Sequence, residues 1–586
     1  MINLLVFLCY NFYMNNIKGS LKFFKNTKSK IILLSFMYLL LGVISFISPI
    51  MMANLLAGLI YTDFYIVFWY AIYVCLIFSL QEIILYLTER LWNIRIRPRI
   101  LYNIRHYIIN NIFSLKMSVI DEYGDNAIEE KIDKEPNEIA RIVNLAQRNV
   151  INVITKLGIV IYIILTDWRI ALIYIIGMVI FNKIDTKKQK VVSVRDIKLN
   201  NSSSSTSNFI SEVVEGMSDI KTLNIEEKMG SHLSNKLNMV ANNFSDRDLL
   251  ESRYSKLEKI VLYITTSLVM IVGLLYLDSG NFNVVNLLIM YLYQNDVFSL
   301  MSEISILRGS IKDYNVIMSR ILTLENEKKY VKEKFGNVDL KRIKGDIEFK
   351  NVFFGYTKDN IILNNMSFKI NEGESVALVG NEGKSTIFSL LIRKYDAFSG
   401  HIYIDGIPIE DLSENSLKKN ISVVGQNSYI FNMSIRDNLL LVKPDATKKQ
   451  IDDVCKKVKI YDYIMSLPDK YNTVVGMDGI NLSGGQRQKI AIARALLQGS
   501  KILLFDEATS LIDNNSQREI QEAIDEIARD LTVIIISNRL SATSNCDKIM
   551  VIDGGKVIAV GDHKNLITNC KFYKNIYKNI NKKIRL

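Results

Sequence analysis

"VALVGNEGKSTIFSLLI", Val376 to Ile392, is an apolar run that turns through two glycines and resumes as a second apolar run behind a lysine and two hydroxyl residues. It reads as a buried strand, a phosphate-facing turn and a helix. Backbone N–H groups at such a helix start attract phosphate, Lys384 reaches the β- and γ-phosphates, and the Ser385 hydroxyl, with Thr386 beside it, is placed to ligate Mg²⁺. The pattern for such a loop is G-x-x-x-x-G-K-[ST]. Here only Asn381 and Glu382 separate Gly380 from Gly383, so the loop is two residues short.

Working outward, further strings fall into a fixed order. "IEFKNVFFGY" reads as a strand ending in Tyr356, an aromatic able to stack on a purine face. More than a hundred residues beyond the loop, "KILLFDE" reads as a buried parallel-type strand ending in two carboxylates. Asp506 at its end can hold Mg²⁺ through water, and Glu507 is placed to accept a proton from an attacking water. "NLSGGQRQ" is the most specific string in the chain. Its Ser483, Gly484 and Gly485, between Leu482 and Gln486, form a second set of phosphate-directed donors at a helix start. One nucleotide needs one such loop, so two loops imply a sandwich in which each serves a different ATP.

The first half of the chain has a different character. Ile31 to Tyr61 contains no charged residue, long enough at ~1.5 Å per residue to cross a bilayer of ~30 Å. Six apolar segments can be read: Ile31–Ile60, Phe64–Tyr86, Val150–Thr166, Ile170–Phe181, Ile260–Leu277 and Val284–Leu307. Short connections at Tyr61–Asp63 and Asp278–Asn283 lack Lys and Arg, and Thr166–Arg169 has only Arg169. The opposite connections are long and basic, so the positive-inside rule places them and both termini in the cytosol. These long excursions read as helices continuing out of the membrane, broken near Gly124 and again in "EVVEGMSDIKTLNIEE" by candidates for short transverse helices. Lys156, Asp296 and Glu303 interrupt the apolar spans; intramembrane charge is costly and marks function, although residues near span ends also snorkel to water.

A net charge of +12 could suggest nucleic acid, but the basic residues concentrate beside the apolar spans, which favours a membrane partner. Five scattered cysteines show no metal-ligand spacing and fit a reducing compartment. Met1 to Tyr13 lacks a basic leader and a cleavage site, so no signal peptide is expected, and Met14 is a candidate start.

The ordered strings resemble the ATP-binding cassette (ABC) family, specifically its exporter-type half-transporters, over the chain from about Lys18 onward. The resemblance implies an all-α six-helix transmembrane domain at 31–325 after a lead-in at 1–30, a linker at 326–345, and an α/β P-loop ATPase domain at 346–586. It implies Tyr356 as the adenine-stacking residue, and Gly380, Gly383, Lys384, Ser385 and Thr386 as the ATP-binding loop. Gln426, in "VVGQN", would link Mg²⁺ to the membrane domain, Asp506 and Glu507 form the strand-end acidic pair, and Asp513 is the aspartate of "SLID". The resemblance also implies a dimer in which Leu482–Gln486 complete the partner's ATP site, with the two helix breaks near the coupling helices.

Two departures fall in one site. The short loop could borrow from the strand, since a two-residue slip keeps inward and outward alternation; this would put Leu378 and Asn381 where glycines belong. The second is "TVIIISNRLSAT", which has Asn538 where the family carries a switch histidine; an amide cannot carry imidazolium charge. With Glu507 and the signature intact, the expectation is one half of a heterodimer whose own site is degenerate. The alternatives are a non-hydrolysing regulatory subunit and an inactive product of a small deletion. The N-terminal lead-in is too short for a peptidase domain, and the substrate is open.

Overall fold

The computed structural model describes residues 19–584 apart from 279–281, 327–329, 341–342, 358, 427, 477–480, 508–513, 529–530 and 538–542. The chain divides into two compact units, Met1–Phe113 with Gly124–Tyr330, and Ser114–Tyr123 with Val331–Leu586.

The first unit is built of long helices: α1 (Lys28–Ile60), α2 (Phe64–Arg90) and α3 (Arg97–Phe113), then α5 (Asp125–Thr166), α6 (Trp168–Glu215), α7 (Met217–Thr222), α8 (Glu226–Asp278) and α9 (Val284–Leu322); α4 (Met117–Tyr123) belongs to the second unit. All six apolar segments are helical. Among the described residues, the stretches Lys28–Ile60, Phe64–Phe113, Ala127–Thr166 and Glu226–Asp278 are long and apolar enough to cross a membrane. Ile170–Phe181 is a short apolar start to α6, and Val284–Leu307 in α9 is diluted by Asp296 and Glu303. With 48 residues in α6 and 53 in α8, each runs for ~70–80 Å, far beyond the ~30 Å hydrocarbon layer.

Each short connection supplies its own N-cap. Asp63 accepts from the Tyr65 and Ile66 N–H groups, Asp167 from Arg169 and Ile170, and Asn283 from Val285. These caps satisfy orphan helix donors where the chain reverses. Small residues set the helix spacing: a Cβ on Gly42 would lie 2.4 Å from Thr155 Oγ1, and one on Gly177 2.6 Å from Thr265 Oγ1. Such close approach replaces the hydrophobic drive that lipid does not provide. The centre of the bundle packs Ala53, Ile163, Tyr174, Val269, Tyr293 and Phe298.

In the second unit, a six-stranded sheet has the order β10 (Lys556–Gly561), β9 (Lys548–Asp553), β3 (Ser375–Gly380), β8 (Thr532–Ile536), β7 (Ile502–Asp506) and β6 (Ile421–Val424). It is parallel except for the β10–β9 edge pair. Every residue of β3 is buried, as a central parallel strand covered on both faces requires. A smaller antiparallel sheet pairs β1 (Ile347–Thr357) with β2 (Asn360–Ile370) and β4 (Ser399–Ile404), which carries β5 (Ile407–Pro408) on its far edge. The large sheet separates two cores by simple alternation: Ile502 and Leu504 pack into one, Leu503 and Phe505 into the other. The second core includes α11 (Ile435–Leu440), α12 (Lys448–Lys457) and α13 (Gly484–Gln498). Ser114–Tyr123 is fastened here by a bridge between Leu115 and Lys332, by Lys116 on Asp396, and by Asp121, which pairs with Lys394 at 2.9 Å and accepts from the Tyr395 hydroxyl at 3.1 Å.

Candidate nucleotide site

The C-terminal end of β3 delivers the chain into Asn381–Gly383, and α10 (Lys384–Leu391) starts immediately afterwards. The strand is not borrowed to lengthen the loop. Leu378 stays fully buried, paired with Ile536 and Met550, and β3 runs to Gly380. Pulling it out would strip a central strand of two ladders, and that cost outweighs an awkward turn. Gly380 takes φ 144° with Ile552 O where a side chain would be, and Gly383 takes φ 99° as the N-cap of α10.

The short loop spends its polar groups on itself. The Asn381 N–H donates to Ile552 O at 3.3 Å, and its side-chain amide donates to Asp553 Oδ1 at 3.2 Å. Lys384 turns back, its Nζ 2.5 Å from both Gly380 O and Asn381 O. Burial holds its pKa below the usual lysine range, against the pull of Glu507 and Asp506. The first helix donor satisfied from within is Ile387, by Gly383 O; the N–H groups before it have no carbonyl a turn back within the helix.

Asp506, at the end of β7, accepts from Ser385 Oγ at 3.1 Å. Burial raises its carboxyl pKa, the Ser385 bond opposes this, and Glu507 adds to it. A serine hydroxyl and a strand-end carboxylate in contact are a hard-oxygen set that suits Mg²⁺. Glu507 follows with φ 47° and donates its N–H to Ile536 O at 3.0 Å. Tyr356, at the end of β1, is 54% exposed, leaving a ring face open for stacking. Its hydroxyl lies 3.3 Å from Thr386 Oγ1, and Tyr395 meets its ring edge-on at 5.3 Å.

The signature stretch sits apart. Ser483 caps α13 in a capping box, accepting from the Gln486 N–H at 3.2 Å while the Gln486 side chain accepts from the Ser483 N–H at 2.8 Å. Leu482 is buried, and Gln488 donates to Gly425 O at 3.2 Å, fixing α13 beside the exposed Gln426. Among the described residues no hydrogen bond joins Ser483–Gln486 to residues 380–386. Asp513 and Asn538 lie outside the described residues. The S-x-x-Q spacing of the capping box was readable in the sequence; the left-handed backbone of Glu507 and the Asn381–Asp553 pair carry no sequence signal.

The family description "ABC transporter transmembrane region" matches residues 31–301 and "ABC transporter" matches 363–510. An ATP-dependent lipid A-core flippase of Legionella pneumophila is 30% identical over 485 residues, 81% of this chain and 81% of that protein. This chain belongs to the ABC transporter family. Another ATP-dependent lipid A-core flippase, from Saccharophagus degradans, is 44% identical over 244 residues, 41% of this chain but 42% of that relative's length. A solved structure of a bacterial Atm1-family ABC exporter with ATP bound shares the fold, with TM-score 0.77 and 22% identity over 95% of this chain and 99% of that one. The ABC transporter architecture is therefore a helical membrane region followed by an α/β ATPase domain that binds ATP, in one membrane-integrated polypeptide.

Proposed function

We propose that this chain is one half of an ATP-driven ABC exporter and that it works beside a different half-transporter. The observation that carries this reading is the short loop, with Lys384 folded onto Gly380 O and Asn381 O, in a chain whose Glu507 and "LSGGQ" are intact. The glycine loop serves this subunit's own site, whereas Leu482–Gln486 complete the partner's. A weakened loop therefore costs this chain its own turnover and leaves its contribution to the partner whole.

In this reading Tyr356 stacks on adenine, and Gly380, Gly383, Lys384, Ser385 and Thr386 face the phosphates. Ser385, Asp506 and Gln426 would hold Mg²⁺, which would supply charge neutralisation on the phosphate oxygens. Glu507 accepts a proton from the attacking water, Asp513 belongs to the dimer contact, and Asn538 stands without charge where a histidine would face the γ-phosphate. Residues 31–325 form the transmembrane domain and 346–586 the cassette, with termini and cassette cytosolic by the excess of Lys and Arg in the long connections. The self-satisfied lysine also favours a second reading, in which this chain's own site binds nucleotide without hydrolysing it. The flippase relatives make an amphiphilic lipid one candidate cargo.

The test is ATPase activity of this polypeptide alone and with a co-expressed partner. Activity should be poor alone and brisk in the pair; brisk turnover alone sinks the heterodimer. In the pair, Glu507→Gln here should cost little, and the matching change in the partner should abolish turnover.

A further inference from the structure

Midway along the membrane segment of α9, Asp296 is a half-buried carboxylate with no hydrogen bond or ion pair among the described residues. Its surroundings follow from the contacts of α5 and α9. Glu303 meets Lys156 at 3.2 Å and accepts from Asn152 at 3.2 Å, while Tyr293, ten residues earlier on α9, meets Tyr162 at a ring separation of 6.2 Å. Moving down α9 thus moves back along α5, so the helices are antiparallel. Asp296, one turn from Tyr293 and two from Glu303, lies between the ion pair and the aromatic level. Lys156 and the Tyr293 hydroxyl lie within electrostatic range of it.

At the aromatic level Phe46 from α1 joins Tyr162 and Tyr293, with ring separations of 5.9 and 6.1 Å. Tyr293 is fully buried and donates to Phe46 O, whereas Phe46 and Tyr162 keep part of their surface open. Two of the neighbouring polar groups are spent, Lys156 and Asn152 both on Glu303. Lys156 is taken by Glu303, and the Asp296 carboxyl is left without a partner among the described residues. An ionised group at this depth is costly unless it is paired, and it faces the bundle interior or a water-filled path rather than lipid.

We propose that Asp296 is the recognition point for the cationic head of an amphipathic substrate, whose apolar or aromatic body lies against Phe46 and Tyr162. Aromatic faces add to the hold on an organic cation, and the closed Lys156–Glu303 pair below offers no second carboxylate free of a counter-ion. Among the described residues, Lys156 beside Asp296 is already paired, so it offers an anionic amphiphile no free counter-charge. This assignment names a substrate class for the transport reading and rests on it only for the word substrate; the binding itself needs neither nucleotide nor partner.

Equilibrium binding of tetraphenylphosphonium and of tetraphenylborate, two probes of nearly one shape and opposite charge, to the full chain in nanodiscs without nucleotide tests it. Wild type should prefer tetraphenylphosphonium. Asp296→Asn should weaken that probe at least tenfold and leave tetraphenylborate no weaker, and Asp296→Glu should restore most of the loss. Equal binding of tetraphenylphosphonium by wild type and Asp296→Asn, or no preference between the probes in wild type, overturns the proposal. Should Asp296→Asn fail to elute as a folded species, Lys156→Gln takes its place: it should strengthen tetraphenylphosphonium binding relative to tetraphenylborate, and an unchanged ratio overturns the proposal. A poor ATPase result for the pair would leave these outcomes untouched, and failed binding here would leave the nucleotide-site reading untouched.

Discussion

At Gly380 the chain has φ 144°, and a Cβ there would lie 1.9 Å from Ile552 O. Neither the backbone angle nor the space admits an alanine, because the obstacle is the carbonyl of a core strand rather than a flexible side chain. Gly380→Ala should therefore destabilise the cassette by about 3 kcal/mol, in the upper part of the usual range for single substitutions, seen as a lowered melting temperature. Gly373→Ala is the control: φ is 72° but nothing lies within 4 Å, so only the left-handed backbone cost of about 1–2 kcal/mol applies. Glu507 shows the opposite relation. It is held at φ 47°, a region that strains any residue with a Cβ, so Glu507→Gly should raise thermal stability by up to about 1 kcal/mol while removing the proton acceptor. A Glu507→Gly variant that melts higher while the pair's ATPase stays near wild type would separate backbone strain from chemistry at this position.

For the elements, the question is loop length. Inserting Ser-Gly after Gly383 rebuilds the full spacing and gives Lys384 a longer tether, so ATP-analogue binding to the full chain should tighten by roughly tenfold; unchanged affinity would show that the short loop is not the defect. The helix α4 hangs on charges: Lys116, Lys394 and Tyr395 all converge on Asp396 or Asp121. Asp121→Lys places a like charge among these lysines, and amide exchange across 114–123 should quicken by about tenfold while β3 stays protected. Burial, with the Asp121 carboxylate behind it, pushes the Tyr395 phenol up to about 12. Its folded pKa exceeds the free phenol's ~10, so its contribution is intact below pH ~10 and lost as pH rises through the folded value. Tyr395→Phe should flatten that alkaline loss in a melting series. The strands and helices of this region were legible because apolar runs, glycines and hydroxyls alternate in a way that only one local geometry satisfies. Whether the loop would borrow from β3 was not legible, since a two-residue slip leaves the pattern of inward residues unchanged; burial of Leu378 between two ladders decides it. The fold-back of Lys384 and the pairing of Asn381 with Asp553 depend on chain segments far apart in sequence, which no local spacing encodes.

On the scale of the whole molecule, the order of strings announced the two-part architecture, and the family comparisons agree with it. Composition did less for the membrane half. The spans at Ile170–Phe181 and Val284–Leu307 are helical but carry too little unbroken apolar length to stand out, because the residues that dilute α9 are those that face other helices rather than lipid. Gly177 is a point where that packing can be tested: a Cβ would meet Thr265 at 2.6 Å and Phe298 at 3.0 Å. Gly177→Leu should reduce the yield of folded protein extracted from membranes, with cassette motifs untouched, through overpacking of a few kcal/mol.

The folded-back lysine has a consequence for how such a site would respond to its surroundings. The two carbonyls that hold the Lys384 ammonium compete with phosphate for it, at an effective concentration on the order of millimolar or more. Nucleotide must draw the ammonium off these carbonyls, so apparent affinity scales with the fraction of time the ammonium is free of them. A low-affinity site of this kind fills only when the nucleotide pool is high and empties first when it drops. In the heterodimer proposed above, occupancy of this site would follow the size of the nucleotide pool, while a full-length loop in the partner would stay filled.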